Sequence, residues 1–362
     1  MKQSKKLAVL TAVFIAISVL AGCAVQKNTT IATVNGEAVL AEDFPYFFRA
    51  MQDTMIQEAN ITDPAKANEF WESTEIDGKK AEEVARERAL DELVKMVITV
   101  QKAKEQGLTL TSEEEQDVKT QKNNYVQQWG GREAYLTQLE NMGMTEKAFE
   151  RFLERMAYYD KMSQKLIEED ERYTISDEAA IAHIKDSGKV SAKHILFMTV
   201  DPQTQEPLSE EEKAAKKQQA EDTLRRLQAG EDFDTLMNQL SEDTGLAQYP
   251  NGYTFGEGEM VAPFEEAAFA LEEGQLSGIV ESNFGYHIIK RVQPDETEIQ
   301  NAIAEMRADL FEEELETWKN EATIEVNEKE LAKYDVVKYD ESQSTGTPDT
   351  IPAEDGEAQA AQ

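Results

Sequence analysis

Apolar positions recur along this chain with two distinct periods. From about Gly78 to Gln106, Ala85, Ala89, Leu93, Val97 and Val100 fall near one helical face, joined by Leu90, Val94 and Ile98. That spacing predicts a long helix, which Gly107 ends. Ser112 with Glu115 predicts a capping box opening the next helix, which runs towards Trp129 and breaks at Gly130-Gly131. Two more helices are predicted over Glu133–Met142 and from Thr145 to about Glu169, the second carrying Phe149, Phe152, Leu153, Met156 and Tyr159 along one stripe. Such a stripe is core first, and where left uncovered it can serve as an adaptable groove for unfolded peptide. Ahead of these helices IATVNGEAVL predicts a strand and turn, with Asn35-Gly36 marking a hairpin.

The period changes to two between Val190 and Val292. VSAKHILF opens this stretch and FGYHIIKRV closes it, so Ala192, His194 and Leu196 share one face of a strand, as do His287 and Ile289. Between them Ser209 and Glu212 predict a capping box, followed by a helix with Ala220, Leu224 and Leu227 at helical spacing and Gly230 as its stop. A short helix over Phe233–Leu240, a Gly- and Asn-rich loop, a short strand near Tyr253–Phe255, a helix entered through Pro263 and a third strand complete the segment. After it, Thr297 to about Ala322 predicts one more helix, and ATIEVN a strand able to pair with IATVNG near the start.

Charge narrows the class of partner. Thirty-seven Lys and Arg face 72 Asp and Glu, a formal net charge of −35. Such a body repels nucleic acid and anionic lipid headgroups, which excludes nucleic acid as a partner and favours basic or neutral clients. Residues 1–22 carry Lys2, Lys5 and Lys6, then an apolar run from Leu7 to Leu20, then Ala21 and Gly22. That run is too short for a membrane span and ends at small residues, so it predicts a signal peptide. LAGC resembles the lipobox of bacterial lipoproteins, which makes Cys23, the one cysteine of the chain, the expected site of lipidation. A diacylglyceryl anchor holds stably because it has two acyl chains. Residues 341–362 combine five acidic residues with Pro348 and Pro352 and no base, a composition that predicts a disordered acidic tail. No P-loop, zinc spacing or Ser-His-Asp arrangement occurs, so neither cofactor nor metal is expected.

Four fragments in order resemble the parvulin family of peptidyl-prolyl cis-trans isomerases: AKHIL around His194, LSEDTG around Asp243, FGEGEMVAPFEEAAFAL around Met260 and Phe264, and SNFGYHIIKR around His287. TVNGEAVLAEDFPYFF resembles the N-terminal segment of SurA-like and PrsA-like chaperones. The resemblance implies an α+β chain in which a parvulin domain, a four-stranded antiparallel sheet with about four helices, is inserted in a mostly helical SurA-like chaperone domain. The expected division is signal peptide 1–22, helical N-terminal domain 23–175, parvulin domain 190–292, a returning helix and strand 293–340, and tail 341–362.

The resemblance also implies a chemistry. Rotation about an X-Pro amide has a barrier of roughly 18–20 kcal/mol and breaks no bond. A catalyst can help by holding the ring in an apolar slot that keeps water from the twisting amide. The family's apolar floor carries over to Met260 and Phe264, with Phe255 beside them. Its two histidines match His194 and His287, its Cys or Asp position is Asp243, and its Thr or Ser position on the closing strand is Ser282. The two imidazoles can either fix the sheet by bonding each other or take part in proton transfer. Two departures stand out. YPNGYTFG, from Tyr249 to Gly256, replaces a GGDLG-like turn, and the loop MTVDPQTQEPLSEEE offers no cation before Lys213, which predicts indifference to phosphorylation of the residue before proline. The expected function is that of a foldase: an isomerase and chaperone for unfolded exported proteins with X-Pro bonds. Its expected place is the outer face of a bacterial cell membrane, in a monoderm envelope, held by its lipid anchor, with a homodimer among the expected partners. The rival reading is an inert holdase that only binds peptide.

Overall fold

A computed structural model describes residues 29–204 and 206–339; Cys23, the rest of the signal segment and the tail 341–362 lie outside them. The chain opens with β1 (Thr30–Val34) and β2 (Glu37–Leu40). They are joined through Asn35 and Gly36, both at positive φ, 51° and 84°, as the tight primed hairpin turn requires. α1 (Phe44–Glu58) and α2 (Pro64–Ser73) follow. Glu75–Ile76 (β3) and Lys79–Lys80 (β4) then pair around Asp77-Gly78. This small hairpin takes up the turn that the periodicity assigns to helix, so α3 (Ala81–Glu105) starts at Ala81 instead of Gly78.

The cap of α4 (Ser112–Gln128) is also displaced by one residue from the expected pair. Thr111 keeps an extended backbone, and its hydroxyl accepts from the Glu114 N–H at 3.3 Å while the Glu114 carboxylate accepts from the Thr111 N–H at 2.6 Å. Ser112 is already helical, so Ser112 and Glu115 do not form the box. α5 (Arg132–Asn141) and α6 (Glu146–Glu169) complete the first run of helices. Phe149 and Leu153 of the stripe are buried against Tyr135 and Leu139, with Phe152 packed partly buried beside them.

α7 (Asp177–Asp186) leads to β5 (Val190–Met198). α8 (Glu210–Gln228) begins at the expected Ser209–Glu212 capping box, and α9 (Phe233–Leu240) is capped by Asp232. β6 (Tyr253–Phe255), α10 (Ala262–Ala270), β7 (Leu276–Glu281) and β8 (Gly285–Val292) follow. The sheet is antiparallel, in the order β6-β5-β8-β7. Its two faces are separated by the strand period: Ile195, Phe197, Tyr286 and Ile288 pack under α8 and α9, whereas Val190, Ala192 and Ile289 pack with Phe255, Phe264 and Ala268 under α10. His194 and His287 fall on the second face by parity.

α11 (Glu296–Glu321), β9 (Ile324–Val326) and α12 (Glu328–Leu331) end the described chain. β9 pairs antiparallel with β1, setting Ala32 opposite Val326 and Val34 opposite Ile324. Among the described residues two compact units result, the first of 29–170 with 311–339 and the second of 171–310. The second unit extends beyond the parvulin-like segment at both ends because Ala180 and Ile184 of α7 pack on Ile299, Ala302 and Ile303 of α11.

Candidate active site

The central strand pair places the two histidines. In the β5–β8 register His194 stands opposite Ile289 and Leu196 opposite His287, so the imidazoles sit diagonally on one face. Their rings lie nearly parallel, 12° apart, with Nδ1 to Nδ1 at 3.1 Å. Both side chains are buried.

Asp243 reaches them because the chain leaving α9 is stitched to β5. The Leu196 N–H donates to the Ser241 hydroxyl, the Glu242 N–H to the Leu196 carbonyl, and the Met198 N–H to the Glu242 carboxylate. Asp243 then accepts on Oδ2 from His194 Nε2 at 2.9 Å and from the Tyr253 hydroxyl at 2.7 Å, and on Oδ1 from the Gly245 N–H at 3.0 Å. Burial opposes ionisation of this carboxyl, yet the donors from His194, Tyr253 and Gly245 outweigh it and bring it down to about 2. Asp243 is therefore a carboxylate at neutral pH. On the other side Ser282 Oγ lies 2.7 Å from His287 Nε2 and accepts from the Phe284 N–H at 3.1 Å. Burial first, and His194 second, pull the His287 imidazole down to about 3, so it is neutral.

With Asp243 ionised and each imidazole carrying a single proton, one proton order satisfies every contact. Ser282 O–H donates to His287 Nε2, His287 Nδ1–H to His194 Nδ1, and His194 Nε2–H to Asp243. The Ser282 hydroxyl lies against an imidazole, but His287, held at about 3, is too weak a base to activate it as a nucleophile.

The apolar part of the site lies over the imidazoles. The Phe264 ring meets His194 edge-on at 5.1 Å and His287 at 5.5 Å. Met260 packs partly buried at the edge of the same cluster. Its N–H donates to the Glu265 carboxylate at 3.3 Å, which also holds the Gly258 N–H at 2.8 Å, pinning the turn before α10. Phe255 is fully buried, 5.7 Å from Phe264; it backs Phe264 from below instead of lying open beside it. Tyr249 and Phe284 are exposed large apolar residues on the loops that flank this face. The loop after β5 is a small hairpin closed by a Val200–Pro207 bridge, in which Asp201 accepts from the Gln203 and Thr204 N–H groups.

All seven residues expected at the site, His194, Asp243, His287, Ser282, Met260, Phe264 and Phe255, are brought to one face of this sheet or its adjoining loops. Tyr253 was not among them. Its signal was the departure from the family turn, where an aromatic follows Asn251-Gly252. Among the described residues no group of three or more His, Cys, Asp or Glu is disposed to hold a metal ion.

Sheet order, paired histidines and apolar cover together define a protein of the parvulin class. Residues 194–293 match the PPIC-type PPIASE domain, and residues 1–163 match the SurA-like N-terminal domain. The foldase protein PrsA of Caldanaerobacter subterraneus subsp. tengcongensis is 29% identical over 78% of this chain and 80% of its own length. That of Geobacillus sp. strain WCH70 is 31% identical over 57% of this chain and 71% of its own. A crystal structure of PrsA from Bacillus cereus is similar at 24% identity, covering 84% of this chain and 96% of that one with a TM-score of 0.26. The chain belongs to the PrsA foldase family and is a peptidyl-prolyl cis-trans isomerase.

Proposed function

We propose that isomerisation occurs over the His194–His287 pair, with Met260 and Phe264 gripping the proline ring and Phe255 holding Phe264 in place. The observation that carries this reading is the continuous hydrogen-bonded row from Tyr253 through Asp243, His194 and His287 to Ser282, roofed by the Phe264 ring. A planar X-Pro amide holds negative charge on its oxygen through resonance, and twisting withdraws it. A fixed carboxylate close to that oxygen therefore disfavours the planar form more than the twisted one. Preorganised groups supply this field without reorganising during the turn. His194 and His287 keep the carboxylate oriented and their own protons in place, and the rate gain is entirely non-covalent.

The acidic hairpin after β5 supports indifference to phosphate on the residue before proline. Residues 1–23 support export and attachment by a diacylglyceryl group on Cys23 at the outer face of the cytoplasmic membrane, where clients are unfolded exported chains. The helical unit supports holding such chains while prolines turn, and a homodimer is a further part of this proposal. No helix among the described residues is long and apolar enough to cross a membrane.

The test is cis-trans exchange of a proline tetrapeptide by the full chain and by Met260→Ala. A Met260 variant with an intact fold and kcat/KM reduced about tenfold, the size expected from one lost apolar grip, supports the pocket. An inactive parent chain would leave only the holdase reading.

A further inference from the structure

We infer that Tyr253 is a positioning residue for the isomerase, its phenol hydroxyl fixing the Asp243 carboxylate and, through it, the direction of every proton in the His194–His287–Ser282 row. This rests on the site proposed above. Asp243 Oδ2 is shared by two donors, Tyr253 at 2.7 Å and His194 Nε2 at 2.9 Å. The order above requires that oxygen to accept from His194, and the second donor, Tyr253, opposes a proton there. Were Asp243 to take up a proton there, His194 Nε2 would become the acceptor. His194 Nδ1 would then carry the hydrogen, His287 would reverse in turn, and Ser282 would have to accept.

The surrounding chain is shaped to deliver this hydroxyl. A methyl at Gly245 would lie 2.2 Å from the Tyr253 oxygen, so the LSEDTG segment leaves room for the phenol. Gly252, at φ +95°, allows the turn to press against β5, where a Cβ would stand 2.4 Å from the Ala192 carbonyl oxygen. That approach sets Tyr253 opposite Ala192, two residues from His194 on the same face. The phenol also meets the His194 ring edge-on at 5.8 Å, and the Tyr249 ring covers it at 5.0 Å. Burial and the neighbouring Asp243 push the Tyr253 hydroxyl up, so it remains a donor. The titratable groups facing Asp243 are His194 on β5 and Tyr253 on β6, with Tyr249 of the preceding loop behind Tyr253 and His287 on β8 one imidazole further away.

The experiment uses the full chain with Tyr253→Phe, Gly245→Ala and Asp243→Asn. Exchange of a proline tetrapeptide is followed by NMR from pH 2 to 8, and imidazole nitrogens are read directly, since the chain has only three histidines. For Tyr253→Phe we expect kcat to fall about tenfold with KM little changed, as for loss of one hydrogen bond to a charged group. The acid limb should rise by about one pH unit, and His194 should show mixed tautomers in place of Nε2–H alone. Gly245→Ala, which displaces the hydroxyl without removing it, should reproduce all three effects and covers the case in which Tyr253→Phe folds poorly. Asp243→Asn at the parent rate would overturn the underlying site. A slow Asp243→Asn beside a Tyr253→Phe that keeps the parent's pH profile and tautomers would overturn the role given to Tyr253 alone.

Discussion

A buried imidazole with a second imidazole 3.1 Å away gives up its proton far more readily than one in water, and His287 is held at about 3 against an ordinary 6.5. The unfolded chain therefore binds a proton at this residue between those two values while the folded chain does not. Stability contributed by neutral His287 is complete above pH 6.5 and is lost as pH falls towards 3. Asp243, lowered to about 2 from 3.8, adds a further loss only below about pH 4. The parvulin unit should accordingly lose a few kcal/mol between pH 7 and pH 4, measured as a falling urea midpoint, and His287→Asn should flatten the dependence. An unchanged midpoint across that range would contradict the buried neutral pair. At this scale the sequence exposed the residue types and their order, since His194, Asp243 and His287 all lie in fragments with a family pattern. It did not expose Tyr253, because a phenol's partner depends on where two loops meet.

Among the elements, the returning segment matters most for the helical unit. β9 supplies the second neighbour of β1. Phe311, Leu315 and Trp318 of α11 are buried. Lys95 of α3, itself 6% exposed, is met by Glu312 and by Glu316 at 2.8 Å from α11, in addition to Asp91 and Glu92 on its own helix. A chain ending at Leu310 would lose the buried Phe311, Leu315 and Trp318 and leave Lys95 only the carboxylates of its own helix, Asp91 and Glu92. It would also uncover the β1 edge. We expect calorimetry to show no cooperative transition from the helical unit of such a chain, with isomerase activity on a tetrapeptide retained. A helical unit that still melts cooperatively would show that residues 311–339 are dispensable. Most elements were legible because their ends are local chemistry: Gly107 at φ 75° and Gly230 at φ 96° stop helices wherever they fall. The Asp77-Gly78 hairpin is hidden because a turn pair beside a periodic run satisfies the helical pattern as well, and the cap falls at Thr111, one residue early, because Thr111-Ser112 and Glu114-Glu115 offer the same box twice.

For the molecule as a whole, a charge of −35 means that an anionic membrane repels the body of the protein, so the membrane attachment proposed above would rest on the lipid at Cys23. Cys23→Ala should release the protein or leave an unprocessed precursor, read by fractionating cells; membrane retention equal to the parent would contradict the anchor. By itself the amino-acid order determined most of the helices and strands, the cap at Ser209, and the succession of four fragments that marks a parvulin. These follow from interactions spanning a few residues, where spacing is geometry. Only the folded chain decided that Tyr253 and His194 would share one oxygen of Asp243, that Phe255 would lie beneath Phe264, and that α7 would join the isomerase unit. Each depends on strand register and on where loops cross, and those are set by the packing of residues dozens of positions apart.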